Sequence, residues 1–191
     1  MLLAVREQYL RTPDVRLRPL LYRPLYGFEQ QDQGFASWLE PPRPAVTLMV
    51  DFDGAITANG QPLPDAWIGG LSESYTVVGV GRRYASLDIE LTPLGAYTVL
   101  GRPMSELGGI CVPLVELFGC ELVERLRETP RWNERFDVIE RFLLARADAG
   151  PRPTPAVEWT LTRLQRSGGN ARIEALAAEL GCSRRHLSRR F

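Results

Sequence analysis

Ser86-Leu87-Asp88-Ile89-Glu90-Leu91 alternates a small or acidic residue with a branched apolar one at every step. Successive side chains of an extended chain point to opposite faces, so this pattern predicts a half-buried β-strand with Leu87, Ile89 and Leu91 turned inward. Working back from it, Ala45–Phe52 (AVTLMVDF), Ala66–Ser72 (AWIGGLS) and Ser74–Val80 (SYTVVGV) read as further strands bounded by Gly and Pro. Short strands at this spacing predict a small antiparallel β-barrel or sandwich.

Working forward, the period changes. Thr92-Pro93 predicts a helix entry and Gly101 its exit. Leu114, Leu117 and Phe118, then Leu122, Val123 and Leu126, fall on helical faces. Trp132, Phe136, Ile139, Phe142 and Leu143 do so again, with charges between them, as core-packing positions. Gly150–Pro155 (GPRPTP) breaks the series and reads as a linker. Strands first and helices afterwards make the chain α+β, with segregated structural units.

The 191 residues suffice for one large or two modest domains. Hydrophobic residues make up 45% and charged residues 24%, an ordinary soluble balance. Basic and acidic residues cancel at 23 each, and every basic residue is arginine. The amino end has too short an apolar run for a signal peptide and is interrupted by Arg6 and Glu7. No stretch reaches the roughly twenty apolar residues of a membrane helix, so a cytoplasmic location is expected. Cys111, Cys120 and Cys182 lack CxxC spacing and read as reduced, small buried hydrophobes. His186 is the single histidine, so neither a metal nor another cofactor is expected.

Leu48–Thr57 (LMVDFDGAIT) places Asp51 and Asp53 at the end of an apolar run. A carboxylate there can attack phosphorus while its neighbour two residues on protonates the leaving oxygen, an arrangement that resembles the haloacid-dehalogenase phosphotransferases. That family usually has Thr or Val where this chain has Ala55, and it usually needs a cation, most often Lys, and later acidic residues for magnesium. Lysine is absent and no Asp-Asp pair follows. Asp51 and Asp53 therefore read as strand-end and turn residues, with a phosphotransferase-type enzyme as the alternative.

The carboxyl end is the most specific part. Ile173, Leu176, Ala177 and Leu180 form one apolar stripe, Gly181 can end that helix, and Ser183 suits the cap of a second. Leu187 and Phe191, four apart, give the second helix an inward face. Its other positions are Arg184, Arg185, His186, Ser188, Arg189 and Arg190. Two short helices joined by a tight Gly-containing turn make a helix-turn-helix, whose second helix enters the major groove of DNA. From Arg163 onward seven arginines face two glutamates, a surplus of five positive charges balanced by five negative ones over the preceding residues.

At Ile173–Phe191 (IEALAAELGCSRRHLSRRF) the sequence resembles the first helix-turn-helix of the AraC/XylS family of bacterial transcription regulators. Leu91–Leu107 (LTPLGAYTVLGRPMSEL) and the following Val112–Gly119 (VPLVELFG) carry a weaker likeness to a regulatory domain found in some of them. The resemblance implies a non-enzymatic, DNA-binding regulator. It implies that Arg185, Ser188 and Arg189 point at base edges, where arginine pairs with guanine O6 and N7. Arg184 and Arg190 then touch phosphates, Ser183 adds a phosphate contact to its cap, and His186 bonds backbone or phosphate. It further implies a cupin-like barrel that takes a small-molecule effector or pairs protomers into a homodimer. Trp38, Trp67, Tyr75 and Tyr84 are the candidate walls of an effector pocket, and core packing is the other role open to each.

On this reading residues 1–100 form a β-rich sensor or dimerisation domain, 101–150 a helical segment packed on it, and 151–191 the linker and first helix-turn-helix. Family members carry two such units, and these residues hold one. The 191 residues alone are therefore expected to bind specific double-stranded DNA weakly or not at all.

Overall fold

The computed structural model describes residues 5–31, 36–54, 56–102, 104–107 and 111–188. Its strands are β1 (Val5–Arg11), β2 (Leu25–Gln31), β3 (Ala36–Glu40), β4 (Val46–Asp51), β5 (Ile56–Ala58), β6 (Gln61–Pro62), β7 (Ala66–Gly69), β8 (Thr76–Val80), β9 (Tyr84–Leu91) and β10 (Cys111–Pro113). Its helices are α1 (Pro93–Leu100), α2 (Leu114–Phe118), α3 (Glu121–Glu128), α4 (Trp132–Ala149), α5 (Pro155–Arg166), α6 (Ile173–Glu179) and α7 (Arg184–Ser188). The α+β class is as expected.

Six strands form one antiparallel sheet in the order β1-β2-β9-β4-β7-β10, and four form a second in the order β3-β8-β5-β6. Neither sheet closes on itself, so the barrel form of the expectation is replaced by two open sheets. They meet through Ile56 and Val80 of the smaller sheet and Tyr84 of the larger, with Phe28 and Met49 packed around them.

β9, the strand that organises the first reading, lies inside the larger sheet between β2 and β4. Asp88 sits opposite Tyr26 on one side and Met49 on the other, while Ile89 pairs with Leu48. Leu87, Ile89 and Leu91 are fully buried, in one continuous core with Val46, Leu48, Val50 and Ile68 of the neighbouring strands. The helices close that core from the other side through Val99 of α1, Leu126 of α3, and Phe136, Ile139 and Leu143 of α4. Each such side chain contributes about 1.5 to 3 kcal/mol on burial, which is what fixes the helical layer on the sheet.

The other face of β9 departs from expectation. Ser86, Asp88 and Glu90 are buried as well, because the second sheet stands over them. Alternation reports that the two faces differ in chemistry, and it does not report that the polar one is wet.

Helix α1 begins and ends as predicted. Thr92 Oγ1 accepts the Gly95 N–H at 3.0 Å, Pro93 opens the helix, and Gly101 closes it. The Gly150–Pro155 break runs into α5, whose first residue is Pro155, and Arg146, just ahead of the break, donates from Nε to the Val99 carbonyl at 2.8 Å, tying the end of α4 to α1. A separate small core holds Leu176, Ala177 and Leu187, with Trp159 and Leu164 of α5 against them.

Several features were not anticipated, β3, β10 and α5 among them. β1 and β2 occupy the amino-terminal stretch, where charged residues and Gly27 mask the alternation. The β5–β6 hairpin turns at Asn59-Gly60, both at positive φ, a hairpin signal present in the sequence. Cys111 and Cys120 are exposed and Cys182 is half-buried, so the reading of all three as buried is corrected.

Candidate nucleic-acid interface and the cavity between the sheets

α6 lasts seven residues because the chain turns left-handed immediately after it. Gly181 has φ 64°, a conformation that costs glycine least, and the Cys182 N–H reaches back to the Ala177 carbonyl at 2.9 Å. Ser183 then starts α7: its Oγ accepts the His186 N–H at 3.2 Å, the cap expected of it. Leu187 is 1% exposed and Ala177 2%, so the two helices meet where the sequence places their apolar positions.

Ser183, Arg184, Arg185 and His186 are exposed. Arg184 pairs with Glu174 of α6 at 2.9 Å, both side chains standing largely in solvent. The Glu174 backbone N–H and the Arg184 guanidinium hold the Glu174 carboxyl below its ordinary value. Among the described residues Arg185 and His186 enter no ion pair. Arg163 of α5 pairs with Glu179 at 3.3 Å and lies over the Trp159 ring. Ser188 ends α7, while Arg189, Arg190 and Phe191 lie outside the described residues.

The expected pocket walls come together in three cases of four. A cavity of about 360 Å³ lies between the sheets and is lined by Trp38, Trp67 and Tyr84. Tyr75 does not line it: it is 62% exposed, in the turn before β8, and its placement in the pocket is corrected. Burial pushes the Tyr84 phenol well above its ordinary value.

Sequence reasoning missed the polar floor of this cavity. Asp88 and Glu90 line it from β9, with Arg23 and Arg43 from the loops before β2 and β4. Glu90, 1% exposed, has Arg23 at 3.1 Å and Arg43 at 2.8 Å, and Arg43 also reaches Glu40 at 2.7 Å. Burial pushes the Asp88 carboxyl up to about 7; the Arg23 guanidinium opposes the shift and the Glu90 carboxylate adds to it. The two acidic residues of β9 were visible, but nothing in their own strand showed that a second sheet covers them.

Asp51 has a defined structural task. It is 2% exposed, its Oδ1 accepts the N–H groups of Asp53 and Gly54 at 3.0 Å each, and its Oδ2 accepts that of Ile56 at 3.1 Å. Asp53 stands on the turn and is exposed. Among the described residues no three His, Cys, Asp or Glu side chains are grouped to hold a metal ion. Nor is any helix there long and apolar enough to cross a membrane.

No family model, curated protein or solved structure matches the chain.

Proposed function

We propose that the chain is a cytoplasmic, DNA-binding transcription regulator of the AraC/XylS type, in which α6 and α7 form a helix-turn-helix and the two sheets with their helices form the regulatory part. The observation that carries this reading is the joint between the helices. Leu187 is buried on Leu176 and Ala177, Ser183 caps α7, and the same short helix turns Arg185 and His186 to solvent. A short helix held by its apolar side and its cap presents cationic side chains in a fixed array, which is what major-groove reading requires.

In this reading Arg185 and Ser188 address base edges, as does Arg189 beyond them. Arg184 and Arg190 address phosphates, with Arg184 exchanging Glu174 for a phosphate oxygen on docking. That exchange is inexpensive because the pair is solvent-exposed. The geometry of Asp51 favours the regulator over the phosphotransferase alternative, since backbone amides already engage both of its oxygens.

The test is a titration of the labelled 191-residue chain with duplex oligonucleotides at low salt, followed by amide chemical shifts, which register weak contacts. Shifts confined to Ser183–Ser188 and the start of α6, reduced in Arg185→Ala, support the proposal. Absence of shifts there with every duplex tried removes it. A phosphatase assay of the chain and of Asp51→Ala addresses the alternative, which requires an activity that the substitution abolishes.

A further inference from the structure

Five buried side-chain atoms lack a hydrogen-bond partner among the described residues: Arg23 Nε, Trp67 Nε1, Asp88 Oδ1 and both carboxylate oxygens of Glu90. All four residues line the same cavity between the sheets. Glu90 Oε1 lies within ion-pair distance of Arg23 and Arg43, yet neither guanidinium is aligned to donate to it. Buried polar groups are ordinarily satisfied, and leaving one unmade forfeits its hydration without return. Their concentration around a single space of about 360 Å³, a size typical of small-molecule sites, says that the space is built for a polar occupant.

The sign of that occupant follows from the charges. Arg23 and Arg43 are engaged by Glu90 and Glu40, two cations against two carboxylates. Asp88 is outside that network, with Ser86 Oγ against its Oδ2 at 3.4 Å. The unmet acceptors at the floor thus outnumber the unmet donors, and they belong to carboxyl groups on one face of one strand. The walls are the rings of Trp38, Trp67 and Tyr84, whose faces attract cations.

We propose that the cavity between the sheets binds a small organic cation, an amine whose ammonium group is held by Asp88 and Glu90 while its apolar body lies against Trp38, Trp67 and Tyr84. An anion would meet two carboxylates beside guanidiniums already ion-paired with Glu90 and Glu40, with Arg23 Nε the one guanidinium atom among the unmet donors. A neutral polyol would bring no positive charge to the three unmet carboxyl oxygens of the floor. The proposal rests on the regulator reading only in making such an amine the effector; occupancy of the cavity is independent of DNA.

Three probes of matched size test it on the full chain: phenethylamine, phenethyl alcohol and phenylacetate. The amine is expected to raise the thermal unfolding midpoint and to shift the Trp67 indole signal at concentrations where the alcohol and the acid do neither. Asp88→Asn, which keeps the shape of the side chain, is expected to weaken amine binding about tenfold, the loss of one charge-assisted contact. Trp38→Ala, on the exposed wall, is expected to weaken it without loss of folding. Equal effects of the three probes, an unmoved Trp67 signal with all of them, or unchanged amine affinity in Asp88→Asn would overturn the proposal. Amine binding in a chain whose α7 never responds to duplex DNA would keep the site and remove the regulator reading alone.

Discussion

Gly27 lies so close to the Trp132 indole that a Cβ added to it would stand 2.4 Å from two ring carbons. The ring has little freedom to yield. Its Nε1 donates to Glu29 Oε1 at 2.8 Å, Tyr9 stacks on it with centroids 4.9 Å apart, and Phe52 meets it edge-on. Arg135 lies over both Trp132 and Phe52. The first turn of α4 is thus seated on β2 by the absence of a side chain.

Gly27→Ala is accordingly expected to destabilise the fold by about 1 to 3 kcal/mol, the range for overpacking a close contact. Thermal unfolding followed by circular dichroism measures the loss. Pairing it with Trp132→Leu should cost less than the sum of the two single changes, since the smaller side chain vacates the space; strict additivity would show that the contact is not the cause.

Asp51→Ala is expected to cost about 2 to 4 kcal/mol, because it strands the backbone N–H groups of Asp53, Gly54 and Ile56 that the buried Asp51 carboxylate holds. Asp51→Asn keeps one acceptor oxygen and should lose less. Denaturant midpoints of the two variants give the comparison. Equal stability of Asp51→Ala and the parent chain would contradict the turn-closing role.

Legibility in the sequence followed the number of partners a residue needs. The α1 boundaries were readable because Thr92, Pro93 and Gly101 act on their own backbone. The α6–α7 joint was readable for the same reason: stripe, Gly181, Ser183 and Leu187 all lie within a few residues of one another. β1 is an edge strand, paired among the described residues with β2, and its charged and polar residues give no apolar alternation to read. The cavity floor was hidden for a different reason. Asp88 and Glu90 gain their role from the second sheet and from Arg23 and Arg43, which the fold brings in from far along the chain, and no local pattern encodes that meeting.

Asp88 also makes stability depend on pH. Its carboxyl titrates at about 7 in the folded chain against an ordinary value of 3.8. Between those values the unfolded chain has released the proton that the folded chain still holds, so stability falls as pH rises through this window and levels off above it. The contribution is on the order of 4 kcal/mol at its upper bound, one pKa unit being about 1.4 kcal/mol. The groups facing Asp88 are Arg23, Arg43, Glu90 and Ser86 together with the phenols of Tyr26 and Tyr84, and Asp88→Asn leaves all six in place. Unfolding free energies at several pH values should show the parent chain losing stability relative to Asp88→Asn between about pH 4 and 7. Parallel curves would mean that Asp88 is ionised in both states.

The carboxyl-terminal core is small enough for one side chain to decide it. Leu187 is 1% exposed against Leu176 and Ala177, and α7 has no other described residue buried in that core. Leu187→Ala is expected to cost about 2 to 5 kcal/mol, the usual range for emptying a buried leucine site. Because Trp159, Leu164, Leu176 and Ala177 form a cluster apart from the main core, the loss should be local. Amide hydrogen exchange should quicken in α5, α6 and α7 and stay unchanged in β9 and α4. Ser183→Ala should act in the same direction but more weakly, by about 1 kcal/mol, through the lost cap. Arg185→Ala should leave exchange untouched and alter only the response to duplex DNA, since its side chain is exposed and unpaired among the described residues. Faster exchange in β9 on Leu187→Ala would instead show that the two cores unfold as one.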